Sequence, residues 1–177
     1  HGAADIVQWA LERDLPVSLN FYRQNVLSSS REELALEEHA IIEGMQAAYQ
    51  VFETALPPRP FLNGLLDRVQ AEAHAHTCGV QHSYVVITHQ GHLSQCQMHL
   101  DEPVQTFAQG VLLPMVANGM IQNLSVDDKE GCRTCECRYR CTGGCTLETY
   151  RATGRWDVQS PHCNIYKTLF PQALRLE

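Results

Sequence analysis

The chain has 177 residues, 44% of them hydrophobic and 19% charged, an ordinary globular balance for one domain or one and a half small ones. Its net charge of −7 argues against nucleic-acid binding through a basic face, and no apolar run reaches membrane-spanning length. It opens at His1-Gly2-Ala3-Ala4-Asp5 with neither Met nor a signal-peptide pattern, and reads as a piece of a longer cytoplasmic protein.

Residues 3–13 read as a helix with Ile6, Val7, Ala10 and Leu11 on one face. After Pro16, Val17 to Tyr22 reads as a strand. Ser28-Ser29-Ser30 is a loop, and Ser30 with Glu33 forms a capping-box pattern at a helix start. That helix is expected to run to about residue 53, with Leu34, Ile41, Met45, Ala48, Tyr49 and Phe52 as its apolar stripe. Helix–strand–helix without a partner strand looks like the trailing edge of an α/β domain.

Pro57-Pro58-Arg59-Pro60 marks a boundary. Phe61 to about Ala73 is expected to be a bridging helix burying Leu62, Leu65, Leu66 and Val69. Ser83–Thr88 and Leu93–Met98 pattern as a hairpin, with Gly91 supplying a positive φ in the turn. Residues 103–118 are expected to form one short helix, broken by Pro114. Residues 125–131 read as polar loop, followed by cysteine loops and short helices that end in Ile165–Leu176.

All eight cysteines lie between Cys78 and Cys163, and none in the first 77 residues. One group is Cys78-x12-Gly91-x4-Cys96, a thiol on either side of the hairpin turn. The other is Cys132-x2-Cys135-x5-Cys141-x3-Cys145, then Cys163 after seventeen residues. Such spacing outside a secreted protein points to metal before disulfides. Short Cys-x2-Cys turns aim both sulfurs inward, and Gly143-Gly144 lets backbone pass close to a bulky inorganic core. Seven thiols exceed one four-ligand site and nearly fill two. Spacing by itself does not separate paired structural zinc from iron–sulfur clusters.

These residues resemble the SPASM domain of radical-SAM peptide maturases. The likeness extends through Gly143-Gly144 and Gly154 to Ser160-Pro161-His162-Cys163-Asn164-Ile165-Tyr166-Lys167. Val17-Ser18-Leu19-Asn20-Phe21-Tyr22-Arg23 also resembles the late barrel strand that precedes this domain. The resemblance implies two auxiliary [4Fe–4S] clusters. Cys132, Cys135, Cys141 and Cys163 would complete one. Cys78, Cys96 and Cys145 would bind the other, leaving a fourth position open where some members carry a further cysteine. Glu72 stands there, with His74 and His76 nearby. Cys137 lies outside the pattern. Asn20 and Arg23 would contact S-adenosylmethionine in an intact barrel, or are ordinary polar residues at a strand end. The Cys-x3-Cys-x2-Cys of a radical-SAM catalytic cluster is not found upstream of Cys78, so this chain alone is not expected to cleave S-adenosylmethionine or to have catalytic residues of its own.

Six histidines, His74, His76, His82, His89, His92 and His99, are read chiefly as solvated loop and hairpin residues. Glu32-Glu33 and Glu37-Glu38 read as the wet face of a helix. Arg133, Arg138, Arg140, Arg151 and Arg155 would neutralise anionic clusters, bind an acidic leader peptide, or simply carry surface charge. Tyr150 and Trp156 read as core.

The expected fold is α+β: residues 1–56 as the end of a partial (β/α) barrel, 57–77 as a bridge, and 78–177 as a SPASM domain. The resemblance implies oxidative modification, such as cross-linking, of a ribosomally made precursor peptide. The clusters would transfer electrons or hold substrate, and the peptide would dock on the Tyr84–Met98 hairpin. The upstream barrel of the same protein would be the other partner; neither nucleic acid nor membrane is expected. The alternative is a non-catalytic zinc-binding interaction module.

Overall fold

The computed structural model describes residues 2–22, 34–57, 62–66, 69–70, 72–106, 112 and 117–176. It is α+β, with helices and one small antiparallel sheet. The chain divides into two compact units. Unit 1 comprises residues 1–73, 139–141 and 162–177, and unit 2 comprises 74–138 and 142–161.

Unit 1 is helical where it has regular structure among the described residues. Helix α1 (Ala3–Leu11) buries Val7 and Ala10, and its first turn carries Asp5, a charge that suits a helix N-terminus. Ile6 is exposed, against the sequence expectation. Residues 7, 10 and 11 define the packed face, and Ile6 lies about 100° around the helix from Val7. Helix α2 (Glu38–Thr54) buries Ile41, Met45, Ala48, Tyr49 and Phe52, the expected stripe. Leu34 precedes the helix and is exposed. The Ser30–Glu33 capping box and the Ser28–Ser30 loop lie outside the described residues. Helix α2 packs against both α1 and the last helix.

The stretch Val17–Tyr22, expected as a strand, joins no sheet among the described residues. Its alternation is met by packing instead. The Leu19 amide donates to Gly64 O at 2.6 Å, and Phe21 is buried edge-on to His162 at 5.0 Å and against Tyr166 at 5.9 Å. The expected bridging helix is one turn, α3 (Leu62–Leu65), although Leu65, Leu66 and Val69 are buried as their pattern suggested. Tyr49 Oη donates to Leu65 O at 2.7 Å, and burial pushes this phenol above its usual range.

Unit 2 carries the sheet. Strands β1 (Val86–Ile87) and β2 (His92–Ser94) form the expected hairpin, in the register Val86↔Ser94 and Ile87↔Leu93. The turn places Gly91 at φ +79°, where a side chain would be strained. A third strand, β3 (Gln105–Thr106), pairs antiparallel with β2. Here the structure corrects the start of the helix expected over 103–118, since 105–106 are strand; residues 112 and 117 are helical, and 107–111 and 113–116 lie outside the described residues. Gln95 then clamps Ile121: its Oε1 accepts from the Ile121 amide at 2.7 Å and its Nε2 donates to the Ile121 carbonyl at 3.2 Å.

Two α-helices have residues in unit 2 among the described residues. They are α4 (Arg138–Cys141), of which Arg138 belongs to this unit, and α5 (Thr146–Thr153). The last helix, α6 (Cys163–Leu176), lies in unit 1 and buries Ile165, Tyr166, Leu169, Phe170, Ala173 and Leu176 against α2 and α3. Among the described residues no helix is long and apolar enough to cross a membrane.

Tyr49→Phe should destabilise unit 1 by about 1–2 kcal/mol, because Leu65 O loses its buried donor. Urea denaturation followed by helix signal measures this.

Candidate metal centre

Three of the expected ligands, Cys78, Cys96 and Cys145, are half-buried on one apolar cluster in unit 2. That cluster is Val80, Ile121 and Leu147, with Met98 and Trp156 also packed against it. Each of the three is fixed by its own backbone bonds.

Cys78 O accepts from Asn123 Nδ2 at 2.7 Å, and the same amide reaches Val80 O at 3.1 Å. Cys96 O accepts from the buried Ser94 hydroxyl at 3.0 Å, which also reaches His99 O at 2.6 Å. The Met98 amide donates to Cys96 Sγ at 3.4 Å. Such a bond favours a sulfur that carries negative charge. Cys145 is the N-cap residue of α5, and its carbonyl accepts from the amide and the hydroxyl of Thr149, at 3.0 and 2.9 Å.

Cys132 and Cys135 belong to the same unit. Cys132 is buried, its amide donates to Lys129 O at 3.1 Å, and its carbonyl accepts from the Cys135 amide at 2.8 Å. This is the tight turn a Cys-x2-Cys pair calls for. Glu130 and Gln159 tie the start of the loop to residues 157–159 through Glu130 N to Asp157 O at 2.7 Å and Gln159 N to Glu130 O at 3.0 Å.

The arch at residues 142–144 is unusual in its backbone. Thr142, Gly143 and Gly144 all have positive φ, +52°, +78° and +73°, and all three are buried. A β-branched threonine there is strained and needs its surroundings to hold it. Thr77 supplies that hold. Its hydroxyl donates toward Thr142 O at 3.0 Å and Gly144 O at 2.6 Å, and accepts from Thr142 Oγ1 at 3.2 Å. Lys129, only 1% exposed, donates from Nζ to the same Thr142 carbonyl at 2.9 Å.

Cys141 and Cys163 belong to unit 1, at the last residue of α4 and the first of α6. Cys137 is half-buried at the N-cap of α4. None of the eight cysteines is in a disulfide. Among the described residues, no three His, Cys, Asp or Glu side chains stand in an arrangement that would hold a metal ion. The structure thus brings Cys78, Cys96 and Cys145 onto one core without closing them into a ligand set.

The remaining candidates are dispersed. Asn20 is exposed and donates to Ser18 Oγ at 3.1 Å; Arg23 lies outside the described residues. Glu72 is exposed. The His76 and His82 rings meet with centroids 4.5 Å apart and planes tilted by 58°. Burial holds the His76 imidazole below its usual range, His82 and Lys129 act in the same direction, and Asp128 opposes them. His99 corrects the expectation of solvated histidines: it is buried and meets Glu102 at 3.3 Å.

Several arginines are occupied within their own unit. Arg155 pairs with Asp157 and Glu130 at 2.9 Å, Arg138 with Asp127 at 3.5 Å, and Arg151 donates to Met98 O at 2.7 Å. Tyr150 stacks on Trp156 with centroids 4.0 Å apart and planes 6° from parallel. The residue missed from sequence is Lys129, hidden in a segment read as polar loop.

No family model, no curated protein and no solved structure matches this chain.

Thr77→Val keeps the side-chain volume and removes the hydroxyl under the arch. It should destabilise unit 2 by roughly 1–3 kcal/mol, since it strips the hydroxyl donor from the buried Gly144 carbonyl. Chemical denaturation monitored at Trp156 reads the loss.

Proposed function

We propose that this chain is the auxiliary iron–sulfur region of a radical-SAM enzyme that oxidatively modifies a ribosomally made peptide. The observation that carries the reading is the seating of Cys78, Cys96 and Cys145 on one apolar core, far apart in sequence and each with its backbone pinned. The donor chemistry fits. Thiols are the usual cluster ligands, and an amide already points at Cys96 Sγ. By the resemblance, Cys132, Cys135, Cys141 and Cys163 would hold a second cluster.

When bound, such clusters supply one-electron transfer or an iron site for substrate. The chain's own residues would hold them, keep water from the sulfurs through Val80, Ile121 and Leu147, and tune charge through amide contacts. The partial barrel, the S-adenosylmethionine contacts of Asn20 and Arg23, the cytoplasmic setting and the upstream catalytic barrel belong to the same proposal. The precursor peptide would meet the hairpin, where Tyr84 and Ile87 are exposed on and beside the edge strand β1.

Anaerobic purification and metal analysis test this. The chain should be brown and carry about eight irons if both clusters fill. Cys96→Ser should lower that by about four, and Cys137→Ser should leave it unchanged. A colourless chain with stoichiometric zinc under the same conditions would establish the zinc-binding interaction module instead.

A further inference from the structure

We propose that the outer edge of β1 takes an extended peptide as an added strand, held at Ile87 by main-chain hydrogen bonds. This deepens the peptide-docking part of the reading above and rests on that part, independently of any metal. β1 is an edge of the β1-β2-β3 sheet, and its register with β2 decides which groups are left over. In an antiparallel pair, successive residues turn their N–H and C=O alternately toward and away from the partner strand. The Thr88 amide donates to His92 O at 2.8 Å, so Thr88 and Val86 turn inward and Ile87, between them, turns outward. Leu93, opposite Ile87, shows the same alternation from β2: its carbonyl points to the β3 side and accepts from the Val104 amide at 2.8 Å. The Ile87 main-chain groups meet no such neighbour among the described residues.

The edge also lacks the usual protection. Sheets blunt an exposed edge with charge or proline, because unpaired main-chain groups there are a template for another strand. Ser83-Tyr84-Val85-Val86-Ile87-Thr88 has neither, and its last four residues are all β-branched, which favours an extended backbone. The Ile87 side chain is 50% exposed, although its cross-strand partner Leu93 is buried. The edge therefore wants one donor and one acceptor at strand spacing, with an apolar side chain laid beside Ile87. An extended peptide supplies these with little regard to its sequence. A second folded copy fits less well. The Tyr84 amide is already bonded to Gly79 O at 2.8 Å, which leaves residues 85–88 as the free edge. That is roughly 13 Å of strand, and a contact of that length falls well short of the roughly 1,000 Å² a stable interface needs.

The probe is a capped, fluorescein-labelled heptapeptide of alternating valine and threonine, added to the full chain. Anisotropy reads binding, and water-exchange NMR reads the chain's amides. The peptide should bind, and at saturation the Ile87 amide should exchange about tenfold more slowly, while Thr88, already bonded to His92, stays as it was. The same peptide N-methylated at every residue should not bind. Proline is tolerated where an edge N–H faces solvent, so Ile87→Pro removes the outward donor and keeps the β1–β2 bonds. It should weaken binding about fivefold, the worth of one hydrogen bond, and leave iron content at the wild-type value. Equal binding of the N-methylated peptide, or an Ile87 amide unmoved by bound peptide, overturns the edge pairing and leaves peptide docking standing. No binding of the unmethylated peptide also overturns the edge pairing, while the iron–sulfur reading stands or falls on iron content. A concentration-dependent dimer in sedimentation that Ile87→Pro abolishes assigns the edge to a second copy and overturns the proposal. Should Ile87→Pro unfold the hairpin, the N-methylated peptide decides.

Discussion

The hold of Thr77 and Lys129 on the arch at residues 142–144 is the constraint on which the cysteine region depends. Of three consecutive residues with positive φ, Gly143 and Gly144 take it freely, while Thr142 is strained and needs to be held. One hydroxyl and one ammonium, both buried, converge on the Thr142 carbonyl and supply the restraint. That fixes the backbone immediately before Cys145, and with it the start of α5. It also sets the roof over Cys132 Sγ. A polar network of this kind stabilises only when its members are satisfied together, so the arch behaves as a single element.

The neighbouring apolar cluster works differently. Val80, Ile121 and Leu147 come from three separated stretches of chain, and buried polar side chains decide how those stretches register. Asn123 reads the carbonyls of Cys78 and Val80; Gln95 reads both backbone groups of Ile121; Thr146 reads Gln122 O. With so little regular sheet, side-chain amides and hydroxyls do the pairing that ladders do elsewhere.

Where periodicity is long and its cause local, the sequence was informative. Helix α2 kept its stripe from Ile41 to Phe52, and Gly91 marked the hairpin turn. Short patterns misled. Val17–Tyr22 alternates as a strand does, yet packing of Phe21 and one bond to Gly64 satisfy that alternation without a ladder. Gln105 and Thr106 take their conformation from β2, a neighbour no local pattern announces. Lys129 was invisible for a related reason. A lysine between Asp128 and Glu130 reads as solvated, and only tertiary structure reveals its burial. Of the cysteines singled out by spacing, the structure seats Cys78, Cys96 and Cys145 on one apolar floor. Their shared apolar floor depends on Val80, Ile121 and Leu147, which carry no sequence signal of such a role.

The packing of α2 on α6 also sets a schedule for synthesis. More than a hundred residues separate Thr54 from Cys163, so the apolar face of α2 must wait for the end of the chain before its core closes. At about 5–20 residues per second, ribosomal elongation leaves that face uncovered for roughly 5–20 seconds. All of residues 74–161 emerge in the interval. Sequestration of nascent α2, by a chaperone or by α1 alone, is therefore part of what this topology requires of the cell that makes it.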